Sequence, residues 1–233
     1  MVFRPKNVNP WFLEKNKDGN EVLYDIYARL VRERVIFLNN DINDESSGII
    51  VAQMYLLDIE NSEEPIELWI NSVGGETDGF FAIYDTMHMI KAPVHTVCVG
   101  SAMSAAAILL ASGEPGHRFA LPNSHIMIHQ VQVPSHIGGS GTDVEIEAKE
   151  VKKIKDSLNE ILARHTGNTK RKIKDNTEND KYMDAETAKE FGIIDNILER
   201  SKTKPLPELL TRQPAKKKKV TSKDEGGKSS SEG

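Results

Sequence analysis

Between Arg34 and Ser112 the chain alternates short apolar runs with longer segments of helical character, three times in succession. "RVIFLNNDI" (34–42) reads as a buried strand and a turn. "DESSGIIVAQMYLLDIE" then places Ile50, Met54 and Leu57 at helical spacing, behind Asp44 as the expected cap. "PIELWINS" (65–72) is the next strand, and it passes through the glycine loop "SVGGETDG" into the apolar helix "FFAIYDTMHMI". "PVHTVCVG" is the third strand and "SAMSAAAILLAS" the third helix. Strands that alternate with helices are joined by crossovers, so the pattern predicts an α/β body built on a parallel sheet. "HRFALPNSHIMIHQ" adds two short strands around a Pro-Asn-Ser turn.

After His129 the character changes. "VQVPSHIGGSGT" (131–142) is rich in Gly and Ser and predicts a segment outside the core. The next stretch is a long helix from about Thr142 to Arg164, with Val144, Val151, Ile154, Leu158 and Ile161 forming a stripe among dense charge. That pattern predicts a projecting helix that packs along one face. "DAETAKEFGIIDNI" reads as a capped short helix, a terminating Gly192 and a final strand.

Charge is unevenly spread along the 233 residues. From Lys202 onward basic residues outnumber acidic ones nine to four, although the whole chain carries a net charge of −5, so the body is acidic. An acidic body argues against general nucleic-acid binding. The Lys-, Ser- and Gly-rich tail has almost nothing to bury and predicts disorder, and no aromatic residues interleave with its lysines as a nucleic-acid platform requires. No apolar run approaches the ~20 residues of a membrane span. The N-terminal residues lack the basic start and apolar stretch of a secretory signal, which makes a cytoplasmic protein the expectation. The one cysteine, Cys98, sits in a strand-like run, which excludes a disulfide framework or a multi-cysteine metal site and predicts a buried, inert thiol.

Two of the chain reversals share a design in which a strand meets a turn of glycines and small residues, then a helix. They are "INSVGGETDG" and "VCVGSAMSAA". Helix N-termini present unpaired N–H groups that attract developing negative charge, and glycines allow close backbone approach. A serine at one mouth, with N–H groups converging from the other loop, supplies a nucleophile and an oxyanion hole together. Both Ser101 and Ser104 stand at that mouth.

The segments "YDIYARLVRERVIFL", "INSVGG", "IYDTM", "VGSAMSAAAILLASG", "RFALPNSHIMIHQ" and "YMDAETAKEFGIIDNI", in that order, resemble the proteolytic subunit of the ATP-dependent Clp protease. The resemblance runs from about Tyr24 to Asn196. It implies the crotonase-like α/β spiral of repeated β-β-α units, with a projecting handle helix. It also implies an N-terminal axial gate segment (1–23), a protease domain (24–200, handle about 131–166) and a disordered tail (201–233). In the family pattern the serine four residues after the glycine is the nucleophile, which selects Ser104. Ser101 is then read as a capping or backbone-bonded hydroxyl. His129 matches the general base, Asp180 the acid that orients it, and the backbone N–H groups of Gly75 and Ala105 the oxyanion hole. The other six histidines are expected on the surface or in packing.

The implied assembly is two stacked seven-membered homo-oligomeric rings that enclose the active sites. Unfolded polypeptide would be threaded in by an AAA+ unfoldase of the ClpX, ClpA or ClpC kind, which uses the ATP. The subunit itself would need no cofactor and no metal. A catalytically silent ring subunit and a crotonase-fold acyl-CoA enzyme are the alternative readings. Retention of all three triad residues argues against the first, and the second has no need of a Ser-His-Asp set.

The chain departs from the family pattern at several places. Val73 stands for a proline, Ala105 for a methionine and Val131 for a proline, and the segment to Thr142 is longer by about two residues. Glu76 and Asp78 add carboxylates to the glycine loop, and Asn179 replaces an arginine that pairs across the rings. The strand of the implied ATPase-docking surface carries Glu67 and Trp69.

Overall fold

A hairpin of β1 (Trp11–Lys15) and β2 (Glu21–Asp25) leads into a short helix, α1 (Ile26–Val31). Strands β3 (Val35–Leu38), β4 (Ile66–Ser72), β5 (Val94–Met103), β6 (Arg118–Ala120), β7 (His125–Ile128), β8 (Lys181–Met183) and β9 (Asn196–Ile197) form one sheet. Its spine runs β3-β4-β5-β6-β9 and is parallel throughout. Helices α2 (Asp44–Glu60), α3 (Thr77–Met89) and α4 (Ala105–Ala111) make the crossovers that the alternation predicts. The structure is a computed structural model that describes residues 11–15, 18–133 and 139–199. These belong to one compact unit, Met1–Arg200, and the predicted tail, residues 201–233, lies outside the described residues.

Strand β4 shows how the sequence sorts the two faces of the sheet. Ile66, Leu68 and Ile70 are fully buried, while the intervening Glu67 and Trp69 are half-buried and Asn71 is exposed. The inward residues join Ile36, Leu38, Met54, Leu57, Phe80 and Ile83 in one core cluster. Each such side chain contributes about 1.5–3 kcal/mol on burial. On the other face Phe37 and Trp69 pack with ring centroids 5.5 Å apart, and the indole of Trp69 donates to Glu67 Oε2 at 2.9 Å. Burial pushes the Glu67 carboxyl above its ordinary value, and the indole bond only partly offsets this.

Two boundaries differ from the expectations, and the pairing and packing add detail beyond them. The cap of α2 is Asn43, not Asp44. Its side chain accepts from the Ser46 N–H at 2.9 Å, and Ser46 Oγ accepts from the Asn43 N–H at 3.0 Å. That reciprocal box satisfies two end donors, and Asp44 is left in the first turn, where its charge faces the helix dipole. The third helix begins at Ala105 rather than Ser101, because Ser101, Ala102 and Met103 continue β5 and pair with β7. The two strands around the Pro-Asn-Ser turn do not pair with each other; both run parallel to β5, β6 along its first half and β7 along its second. Finally, α5 (Gly141–Thr166) packs only through its C-terminal half, where Ile161 and Leu162 are buried, whereas Val144 and Ile146 are 42% and 60% exposed.

Gly167, in the left-handed region at φ 70°, ends α5, and Thr169 caps α6 (Lys170–Thr177). Asp184 caps α7 (Ala185–Phe191), which stops at Gly192 as predicted. Arg118 fastens these ends together. It forks onto Asp195 at 2.6 and 2.9 Å, and its Nη1 donates to the carbonyls of Ala111, His165 and Gly192. Burial raises the Asp195 carboxyl pKa, but the bonds from Arg118 outweigh that and leave it below the ordinary value.

Candidate active site

The two small-residue reversals meet at the ends of β4 and β5. Gly100 (φ 93°) marks the point where β5 leaves β6 for β7, and the β4–β5 register shifts there between Ile70 and Ser72. Asn71 Oδ1 sits inside this irregularity and accepts the Ser101 N–H at 3.1 Å. A Cβ on Gly100 would stand 2.8 Å from that oxygen, so the side chain of Asn71 occupies the space a larger residue would need. Ser101 is thereby a strand residue with a bonded backbone, not a helix cap.

Ser104 ends the strand in a strained conformation. Its φ of 54° and ψ of −125° are unusual for a residue with a side chain. The surroundings hold it there, since its N–H donates to Met127 O at 2.8 Å and its carbonyl accepts from Ala107 at 3.0 Å. The side chain makes no cap bond to α4. Oγ lies instead 2.8 Å from His129 Nε2.

His129 and Asp180 are brought together by strand register. β7 and β8 are antiparallel with Ile128 opposite Lys181, so the next residue of one and the preceding residue of the other, His129 and Asp180, fall opposite. His129 Nδ1 is 3.3 Å from Asp180 Oδ1, with the imidazole nearly buried and the carboxylate about half exposed. Gln130 fastens both flanks. Its Nε2 donates to Glu178 O at 2.9 Å, on the segment that carries Asp180, and its Oε1 accepts from Lys155 Nζ of α5 at 2.6 Å.

The glycine loop closes the other side. Gly74 (φ 96°) and Gly75 (φ 151°) both lie where only glycine is unstrained. A Cβ on Gly74 would stand 2.8 Å from Ser104 Cβ and 3.1 Å from the Ala105 nitrogen; one on Gly75 would stand 2.1 Å from Ile42 O. The loop is pinned by bonds from Ile42 N–H to Gly74 O and from Glu76 N–H to Ile42 O, both at 2.8 Å. Neither the Gly75 nor the Ala105 N–H has an acceptor among the described residues. Beside Ser104 and His129 a cavity of about 10 Å³, room for about one water, runs between Ile108 and Ile128 on one side and Leu158 and Leu162 of α5 on the other.

The structure therefore gathers Ser104, His129, Asp180, Gly75 and Ala105 at one place, and leaves Ser101 outside it. Chemically, a hydroxyl bonded to an imidazole that faces a carboxylate is set up for proton removal and nucleophilic attack. Cys98 is buried, and desolvation pushes its thiol up to about 11. Of the other histidines, His95 stacks on His117 at 4.1 Å and His165 Nε2 lies 3.0 Å from the Tyr84 hydroxyl; burial lowers both His95 and His165 to about 4. His125 is exposed, His88 Nδ1 bonds to Tyr84 O, and His136 lies outside the described residues. Sequence reasoning missed Asn71 and Gln130; both are polar residues at strand ends, and nothing local marks them as supports. No described helix is long and apolar enough to cross a membrane. Residues 18–201 match the family model described as Clp protease, so both loops, the β7–β8 pair and α5 fall inside the match, and the chain belongs to the Clp protease family.

Proposed function

We propose that the protein is the serine endopeptidase subunit of a barrel-shaped, ATPase-dependent protease. Ser104 is the nucleophile, His129 the general base, Asp180 the carboxylate that orients the imidazole, and the Gly75 and Ala105 N–H groups form the oxyanion hole. The observation that carries this reading is the 2.8 Å contact between Ser104 Oγ and His129 Nε2, made by a serine held at positive φ with no other side-chain bond among the described residues. As Oγ attacks a peptide carbonyl, its proton passes to Nε2. The charge that develops on the carbonyl oxygen falls between the two unpaired N–H groups. Collapse of the tetrahedral adduct sends the proton from Nε2 to the leaving amine and leaves an acyl group on Ser104. A water activated by the same imidazole then releases it. No step calls for a metal or nucleotide on this subunit.

Around this centre we place the crotonase-like spiral, two stacked heptameric rings of identical subunits with α5 as the interlocking handle, and a cytoplasmic setting. Exposed Val144 and Ile146 on the outer half of α5 support the handle role, since apolar side chains on a charged helix gain by burial against another subunit. An AAA+ unfoldase delivers unfolded polypeptide. The half-buried Phe37–Trp69 face, with Glu67 bonded to the indole N–H, is the surface that would receive it. The test is Ser104→Ala beside Ser101→Ala. Loss of peptide hydrolysis by several orders of magnitude in the first, with the particle intact, and near-normal activity in the second are the expected results; full activity of Ser104→Ala would overturn the reading.

A further inference from the structure

Among the described residues, two side chains reach His129 Nδ1. Asp180 Oδ1 lies 3.3 Å away, and the side-chain amide nitrogen of Gln132 lies 3.4 Å from the same atom. The Asp180 carboxylate is 51% exposed and the Gln132 side chain is exposed as well, so water competes for both, and two partners hold the ring plane better than one. We propose that Gln132 is a second positioning residue for His129, sharing Nδ1 with Asp180. The proposal rests on the reading of Ser104 and His129 as nucleophile and base.

To take the Ser104 proton, His129 Nε2 must offer a lone pair, so Nδ1 must carry the hydrogen. A half-turn of the Gln132 amide exchanges its acceptor and donor ends at the ring. With Oε1 inward it accepts from Nδ1–H beside Asp180. With Nε2 inward it donates to Nδ1 of the other tautomer, whose Nε2–H cannot accept from serine. Gln132 therefore holds the ring in either tautomer, whereas the carboxylate favours the reactive one. The division of labour is that Asp180 selects the tautomer and Gln132 fixes the ring plane. Gln132 is well placed for this, because Gln130 ties the same short segment to Glu178 O and to Lys155.

The experiment measures kcat and KM for a fluorogenic peptide across pH, with the assembled full-length protein and with particle size checked for each variant. Gln132→Ala should lower kcat about three- to tenfold, the worth of one hydrogen bond, with KM unchanged. Asp180→Ala should lower kcat about 10³- to 10⁴-fold. In Asp180→Ala/Gln132→Glu a carboxylate stands on the other side of Nδ1, and activity should recover at least tenfold over Asp180→Ala. Gln132→Glu alone should move the acidic limb of the kcat/KM profile to higher pH, because a second carboxylate stabilises the imidazolium. A merely structural glutamine would not give the rescue, and its removal would leave kcat unchanged. No rescue in the double variant, or a Gln132→Ala enzyme with normal kcat and pH profile, would overturn the proposal while leaving Ser104 as nucleophile. Full activity in Asp180→Ala would instead overturn the orienting role of the carboxylate, and this division of labour with it.

Discussion

Replacing Gly74 with alanine puts a methyl carbon 2.7 Å from Met103 O, 2.8 Å from Ser104 Cβ and 3.1 Å from the Ala105 nitrogen. Non-bonded carbons settle about 3.5–4.0 Å apart, so the glycine loop and the Ser104 turn must separate by roughly 0.7 Å or more. The atoms in the way are backbone and a Cβ, which have no flexible end to swing aside. That separation pulls the Gly75 N–H away from the Ala105 N–H, and in the proposed oxyanion hole both reach the same oxygen. Loss of one oxyanion donor costs about 10²–10³ in kcat, and a displacement near 1 Å about 10²-fold. The expected result for Gly74→Ala is a fall in kcat/KM of about 10²–10³ in a fluorogenic-peptide assay. Gly116 is the control, because it also lies at positive φ (90°) but has no atom within 4 Å of its would-be Cβ. Gly116→Ala carries only backbone strain, about 1–2 kcal/mol in thermal unfolding, and should turn over peptide at a near-normal rate. Equal activity in the two variants would refute the argument that convergence of the loops sets the rate.

Arg118→Met should destabilise the fold by about 3–5 kcal/mol in chemical denaturation, since part-buried Asp195 loses its cation and keeps only the backbone N–H groups of Gly116 and residue 118, while three carbonyls lose their donor; a loss under 1 kcal/mol would contradict the clamp. Stability should fall with acid. His95 and His165 have folded pKa values near 4 against about 6.5 unfolded, so the unfolded chain binds more protons between those values and stability declines as pH drops from 6.5 towards 4. Each contributes up to about 3 kcal/mol, and identical denaturation midpoints at pH 7.5 and 4.5 would exclude it. Deleting residues 1–13, which removes the exposed Trp11 and Leu13, should let the particle degrade casein without an ATPase; casein degradation at the same rate with and without the deletion would show there is no gate.

The strand–helix alternation made the parallel sheet legible, because a crossover leaves a parallel pairing as the outcome. Boundaries were less legible where small residues suit either state. "SAM" reads equally well as a helix start, and only pairing of Ser101 and Met103 with His125 and Met127 makes it strand. The cap of α2 was misplaced by one residue because Asn43 and Asp44 have similar capping strength, and the Ser46 hydroxyl decides between them. In the site, the glycines carry their own signal, since positive φ and close approach admit little else. Asp180 does not. One carboxylate among 35 acidic residues becomes significant only through the β7–β8 register, and family resemblance alone selected it. Gln132 is invisible for the same reason, because its contact depends on how the chain turns after His129.

The central claim is that Ser104 is an activated nucleophile. It is tested most directly by treating the full-length protein with a fluorophosphonate and mapping the adduct by peptide mass spectrometry. The account predicts a single modified residue, Ser104, with labelling that slows sharply in His129→Ala. Modification of Ser101, or labelling of Ser104 at an unchanged rate without His129, would contradict it.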